Sequence, residues 1–130
     1  MKYSRKQKKQ YFKELRARWK ASKEMADNDE TAKALYREAG GGFSYYSFYF
    51  TLMDMRKCGY DGIPYVDCKT FRGWIDSGFR VKKGEKSRIS GIVWLHPVSK
   101  DEDGKEVEDI ENTYPKLYHL FHKSQAEEIK

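Results

Sequence analysis

The chain has 130 residues, enough for one domain with a real core, and carries a net charge of +6. Ten Tyr, seven Phe and three Trp argue against disorder, and the two cysteines, Cys58 and Cys68, are too few for a disulfide framework. No apolar run approaches the ~20 residues of a membrane span, and the basic N-terminus is not followed by the apolar stretch of a signal peptide, so a cytoplasmic protein with no membrane partner is expected. Charge is unevenly spread. Residues 1–23 hold ten bases (Lys2, Arg5, Lys6, Lys8, Lys9, Lys13, Arg16, Arg18, Lys20, Lys23) against Glu14. Residues 101–111 hold seven acids (Asp101, Glu102, Asp103, Glu106, Glu108, Asp109, Glu111) against Lys105. The basic end attracts phosphates; the acidic segment repels them or covers a basic surface.

Residues 4–26 read as a helix, with Tyr11 or Phe12, Leu15, Trp19 and Ala26 at helical spacing and bases on the other faces. Asp27-Asn28-Asp29 interrupts it, Asp29 caps a second helix from Glu30 to Ala39, and Gly40-Gly41-Gly42 stops that one. Phe43 to Met53 alone fits a strand or a helix. The helix is favoured, capped by Ser44 and ended by Gly59, because Phe48, Leu52 and Met55 then share a face and the run is too long for a typical strand. Tyr60 to Tyr65 is a loop. Asp67 is expected to cap a short helix from Cys68 to Asp76, closed by Gly78. Phe79 to Val81 is extended, Lys83-Gly84 turns the chain, and Arg88 to Pro97 is a strand with Ile89, Ile92, Trp94 and Leu95 as core candidates. Asp103-Gly104 marks a hairpin turn, and the return strand runs from Val107 to Phe121 with Pro115 at a bulge or an edge. Ser124 is expected to cap a last helical turn, Gln125 to Ile129. The fold class is α+β: N-terminal helices, then a small antiparallel sheet with a long hairpin, in one domain. Within it, residues 1–39 form a basic helical extension and 40–130 the α+β body.

Three places carry binding chemistry. Around Gly84 stand Arg80, Lys82, Lys83, Lys86 and Arg88, with Trp74 close in sequence. A Lys-Lys-Gly-Glu-Lys tip is most often only a solvated hairpin end, but charge beside an aromatic is what gripping a nucleic-acid backbone and stacking its bases requires. In the aromatic run 43–50 about half the side chains belong to the core; Tyr45, Tyr46 and Tyr49 are candidates for the outward half, as a stacking platform or a protein contact. The N-terminal basic helix divides evenly between a solvated face and a phosphate-gripping arm. Metal and catalytic readings are weak. His119 and His122 are three apart on a strand and so on opposite faces, and Cys58, Cys68 and His96 lack partners at ligand spacing. No metal site, cofactor or enzymatic activity is expected.

Three blocks in order resemble the N-terminal domain of ArdC-type antirestriction proteins, encoded by plasmids and phages of bacteria. They are Phe43-Ser44-Tyr45-Tyr46-Ser47-Phe48; Thr70-Phe71-Arg72-Gly73-Trp74 with Gly78 and Val81-Lys82-Lys83-Gly84-Glu85-Lys86; and Leu117-Tyr118-His119-Leu120-Phe121 with Ser124-Gln125-Ala126-Glu127. Tyr45 and Tyr49 stand where the family usually has asparagine, Ser87 where glycine is common, and Ala126 where threonine is usual. The resemblance covers roughly residues 40–129 and implies binding of single-stranded DNA without strong sequence preference, in the service of antirestriction. Full-length members carry a metalloprotease-like second domain; the chain ends at Lys130 without it, so an activity that depends on it is expected to be absent.

Together these give a non-sequence-specific single-stranded DNA-binding protein of mobile-element origin, with RNA and duplex DNA left open as ligands. Arg80, Lys82, Lys83, Lys86 and Arg88 would contact phosphates, and Trp74, Tyr45 and Tyr46 would stack bases. One rival is a protein-binding inhibitor of a host defence nuclease, using the exposed tyrosines and the acidic segment. Another is a duplex-binding factor using the N-terminal helix.

Overall fold

The first helix begins where the sequence supplies a capping box. Ser4 Oγ accepts a hydrogen bond from Gln7 N (3.2 Å) and Gln7 Oε1 accepts one from Ser4 N (2.8 Å), opening α1 (Arg5–Ala26). This computed structural model describes residues 4–96, 98–108 and 113–129. Lys2, the expected strand end at Pro97 and the part of the expected return strand at 109–112, with Asp109 and Glu111, lie outside the described residues. Helix α2 (Glu30–Glu38) starts at Asp29, whose carboxylate accepts from Ala32 N (2.9 Å).

The ambiguous aromatic run forms a helix, α3 (Tyr45–Lys57), capped by Ser44 and ended at Cys58-Gly59. Its apolar stripe is hard to see in the sequence because burial is not confined to one face: Phe48, Tyr49, Phe50, Thr51, Leu52 and Met55 are all buried. Ala26 and Ala32 cover one side, with Phe48, Tyr49 and Leu52. Ile89, Cys68 and Leu120 meet Met55 on another, and Leu15 and Ile92 meet Phe50 on a third. Only Arg56 and Lys57, in its last turn, are exposed, so the helix is central and the other elements pack around it. Helix α1 contributes Leu15 and Ala26 to this packing.

The expected helix from Cys68 divides into two elements. Cys68–Lys69 is a short strand, β1, and α4 (Phe71–Asp76) starts at Thr70, whose Oγ1 accepts from Gly73 N (3.0 Å). Asp67 caps nothing there; it accepts from Ile63 N (2.7 Å) and pairs with Lys123 (3.4 Å). Burial of Cys68 against Met55 overrides the local helix signal.

The strands β2 (Phe79–Val81), β3 (Ile89–Leu95), β4 (Val98–Lys100), β5 (Glu106–Glu108), β6 (Tyr114–His122) and β7 (Ala126–Glu128) are all antiparallel. β6 is central between β1 and β3, while β2 pairs with β7 and β4 with β5. The β3–β6 register runs unbroken from Ile89↔Leu120 to Leu95↔Tyr114, so Pro115 marks no bulge. β1 reaches only Phe121 and His122, which leaves Pro115 where β6 has a single strand neighbour. The expected helical turn at Gln125–Ile129 is a second correction. A single 3-10 turn, Lys123–Gln125, capped by His122 rather than Ser124, leads into β7. Pairing with β2 decides it, setting Glu127 opposite Arg80. The molecule is thus α+β, helices first and antiparallel strands after. Among the described residues no helix is long and apolar enough to cross a membrane.

Candidate nucleic-acid interface

The basic segment is not a hairpin tip. β2 pairs with β7 and β3 with β6, so Lys82–Arg88 crosses between two sheets. Both ends and the middle of this crossing are held. Lys82 N donates to Gln125 O (2.9 Å), and Glu85 N donates to Lys82 O (3.1 Å) across a turn with Gly84 at φ +86°. A turn that needs positive φ at its third residue explains the glycine. Gln125 Nε2 donates to Lys86 O (2.8 Å) while its Oε1 accepts from His122 N (3.0 Å). Ser87 Oγ lies 2.8 Å from Leu120 O, and Cys58 Sγ donates to Arg88 O (3.4 Å). The hydroxyl at Ser87 therefore ties the crossing to β6.

With the backbone tied inward, the basic side chains point out. Arg80, Lys82, Lys83, Lys86 and Arg88 are all exposed. Arg80 pairs with Glu127 (3.0 Å), and Lys82 Nζ donates to Ser124 O (3.1 Å). Lys83, Lys86 and Arg88 form no ion pair among the described residues.

The aromatic candidates sit elsewhere. Trp74 is only 5% exposed. Its indole N–H donates to Phe121 O (2.8 Å), Phe79 meets it edge-on at 5.5 Å, and Lys69 Nζ is 5.1 Å from its ring centroid. Stacking needs an open ring face, so Trp74 packs α4 onto β6 and offers no surface to a base. Tyr45 is half-buried and donates to Ala26 O (2.7 Å). Burial, then the nearby Asp29 charge, pushes its phenol up to about 12. Tyr46, also half-buried, donates to Asp27 Oδ1 (2.6 Å), which raises its pKa. Tyr49, expected to face out, is 1% exposed because α1 and α2 close over that side of α3. These tyrosines lie at the N-terminal end of α3, while Cys58, at the other end, touches Arg88. At 1.5 Å per residue the two ends are about 20 Å apart.

An open groove of about 600 Å³ adjoins the turn instead, lined by Thr70, Phe71 and Arg72 from α4, Lys86 and Ser87 from the crossing, and His119 and Phe121 from β6. Phe71 is 54% exposed and meets Phe121 edge-on at 6.3 Å. Sequence reasoning passed over Phe71 because it places the helix start at Cys68. The signal was Thr70 with Gly73 three residues on, which sets Phe71 as the first helical residue.

Neither a protein-family model nor a curated protein matches the chain. Among solved structures it is similar to the metal-free crystal structure of the antirestriction ArdC protein from plasmid R388, at 22% identity and a TM-score of 0.48. The similarity covers 65% of this chain and 29% of that one, so the chain spans less than a third of that protein's length.

The other sequence candidates fall into separate places. His119 is exposed and His122 buried, on opposite faces of β6 as strand alternation requires. His122 stacks on Tyr60 (4.5 Å, 9°) and its Nε2 lies 2.6 Å from Asp61 O. Arg18 of α1 pairs with Asp54 (2.7 Å), which also accepts from Ser90 N (2.9 Å), whereas the bases near the start of α1 lie towards the far end of the hairpin, where Phe12 meets Tyr114 (6.2 Å). The turn lies at the Ile89 end of that hairpin, about 20 Å away along β3 at 3.3 Å per residue.

Proposed function

We propose that the chain binds single-stranded DNA without sequence preference, with the crossing at residues 80–88 as its phosphate grip. The observation that carries this is a backbone held at several points under a surface of five exposed bases and one exposed acid, Glu85. Gln125, Ser87 and Gly84 fix the crossing, and Lys82, Lys83, Lys86 and Arg88 project from it with no carboxylate partner among the described residues. A backbone tied at several points keeps the bases on one ridge, and a basic ridge that tracks the backbone is how single strands are held without sequence preference. Arg80 joins the grip when it releases Glu127, an exposed pair that holds it only weakly. The blocks at 43–48, 70–86 and 117–127, which resemble the ArdC N-terminal domain, extend the proposal to an antirestriction role in a bacterial host. The role is one of binding; no catalytic step is assigned to the chain.

Fluorescence anisotropy with single-stranded DNA, the matching duplex and RNA of the same length tests it. Single-stranded DNA should bind more tightly than the duplex, and Lys82→Ala/Lys83→Ala should weaken that binding. Tighter binding to the duplex would move the site to α1, and no binding to any nucleic acid would end the proposal. For the antirestriction role, unmodified plasmid entering a restricting host should survive better when the chain is expressed, and this protection should fall in the same variant.

A further inference from the structure

We propose that the groove between α4 and β6 is a stacking slot for one base of the strand, with Phe71 as its platform and Arg72 and Lys86 on the flanking phosphates. The inference rests on the single-strand reading above and assigns the base-contacting surface that Trp74, Tyr45 and Tyr46 do not supply.

Phe71 has no packing reason to be where it is. Trp74, one helical turn on, is buried and bonded to Phe121 O, and this fixes the orientation of α4. Phe71, at the first position after the Thr70 cap, is then held on a rigid element with 54% of its surface in solvent. Its one aromatic neighbour among the described residues, Phe121, meets it at 70°, an edge contact and not a stacked one. The groove in front of it, about 600 Å³, falls in the ordinary range for organic ligands and has room for a nucleobase.

The polar groups around the groove say what kind of recognition it performs. Thr70 Oγ1 is occupied by Gly73 N, and Ser87 Oγ lies against Leu120 O. These bonds turn both hydroxyls towards the protein backbone. The remaining polar side chains of the wall are Lys86, His119 and Arg72, and Arg72 is held only by an exposed pair with Asp76 (3.2 Å). Flexible cations beside an open ring favour stacking with phosphate contact, which is sequence-tolerant because every base has a π-face. Lys86 belongs both to this wall and to the basic crossing, so a strand gripped by the crossing passes the slot.

The test uses the full chain. Phe71→Ala should weaken binding of a short single-stranded DNA roughly 5- to 150-fold, the worth of one stacked base, with its thermal midpoint and salt dependence unchanged. Phe71→Trp should keep the affinity, and its indole fluorescence should be quenched by the oligonucleotide. An oligonucleotide with abasic sugars throughout should bind wild type and Phe71→Ala alike. If wild type binds natural single strands and Phe71→Ala binds them equally well, the slot is wrong and the phosphate grip stands. If Phe71→Ala loses as much affinity on the abasic backbone as on the natural one, stacking is wrong. If wild type binds no single strand, the slot and the reading beneath it fall together.

Discussion

Salt dependence gives the sharpest check on the proposed phosphate grip, because it counts the charges that take part. Of the five basic side chains at 80–88, Arg80 is already paired with Glu127 at 3.0 Å, which leaves Lys82, Lys83, Lys86 and Arg88. If each meets one phosphate of a single strand, the crossing's part of the slope of log K against log salt is about −2.8, at about −0.7 per phosphate, and Arg72 of the groove adds about −0.7 more. Between about 50 and 200 mM salt the crossing's part is roughly a 50-fold loss of affinity. Removing Lys82 and Lys83 by alanine substitution halves that part to about −1.4, and its loss over the same range shrinks to about 7-fold. Both side chains are exposed and Lys82 Nζ holds only Ser124 O, so the variant should fold as wild type does. Anisotropy titrations at four or five salt concentrations read the slope directly. A Glu127→Gln variant supplies the converse: Arg80 is freed, and the crossing's part should steepen towards about −3.5. If the slope of Lys82→Ala/Lys83→Ala equals that of wild type, these lysines meet no phosphate and the grip is elsewhere.

Other consequences concern the frame that holds the turn. Gln125, 2% exposed, bridges Lys86 O and His122 N, so Gln125→Ala should cost about 1–3 kcal/mol for each buried group left unpaired. A drop of several degrees in the thermal midpoint, together with weaker single-strand binding, is expected, and an unchanged midpoint would show that the bridge holds nothing. Gly91 lies under Tyr118, where an added Cβ would come 2.2 Å from Cζ; Gly91→Ala should destabilise by about 1–3 kcal/mol in urea unfolding, and a neutral result would mean that the ring is not held there. Burial raises the pKa of Tyr118 above the usual phenol range, pushes Tyr45 to about 12, and pushes Cys68 to about 11. Each group keeps its proton more firmly in the folded chain than in the unfolded one. The resulting stability is complete below the ordinary values of 9.0 for Cys68 and 10.0 for the tyrosines, and is lost as pH rises towards the folded values. Urea midpoints should therefore be insensitive to these groups up to about pH 8 and decline above it; a midpoint that rises over that interval would contradict the burial of these groups.

What could be read from the sequence follows a physical division. Helices α1, α2 and α3 were legible because their signals are local: Ser44 and Asp29 cap, glycines stop, and apolar residues recur at helical spacing. The strands β1 and β7 were not, because two or three residues hold no periodicity and each exists only through a distant partner, Cys68 through His122 and Ala126 through Val81. The basic side chains were legible as exposed because charge alone predicts it. The aromatic side chains were not, since Trp74, Tyr49 and Phe71 are equally apolar by composition. Which of them faces water depends on what packs over each: Phe121 and Phe79 over Trp74, α1 and α2 over Tyr49, while Phe71 keeps about half its surface in solvent.

The same division separates two kinds of residue within the block Thr70 to Lys86. Thr70 starts α4, Trp74 ties it to β6, Gly78 at φ +89° leads into β2, and Gly84 at φ +86° turns the crossing. Trp74 and the two glycines offer no side chain to the groove, and together with Thr70 they set where Phe71, Lys82, Lys83 and Lys86 stand. A spacing that looks like a binding motif is in this respect a scaffold motif, which is why its tryptophan is buried while its phenylalanine is open. The two sets must then separate by readout. Trp74→Leu removes the hydrogen bond to Phe121 O and should lower thermal stability and single-strand affinity together, whereas the Lys82→Ala/Lys83→Ala and Phe71→Ala variants should lower affinity with stability intact. A Trp74→Leu variant that kept full stability and lost only affinity would reverse this assignment and return the tryptophan to the binding surface.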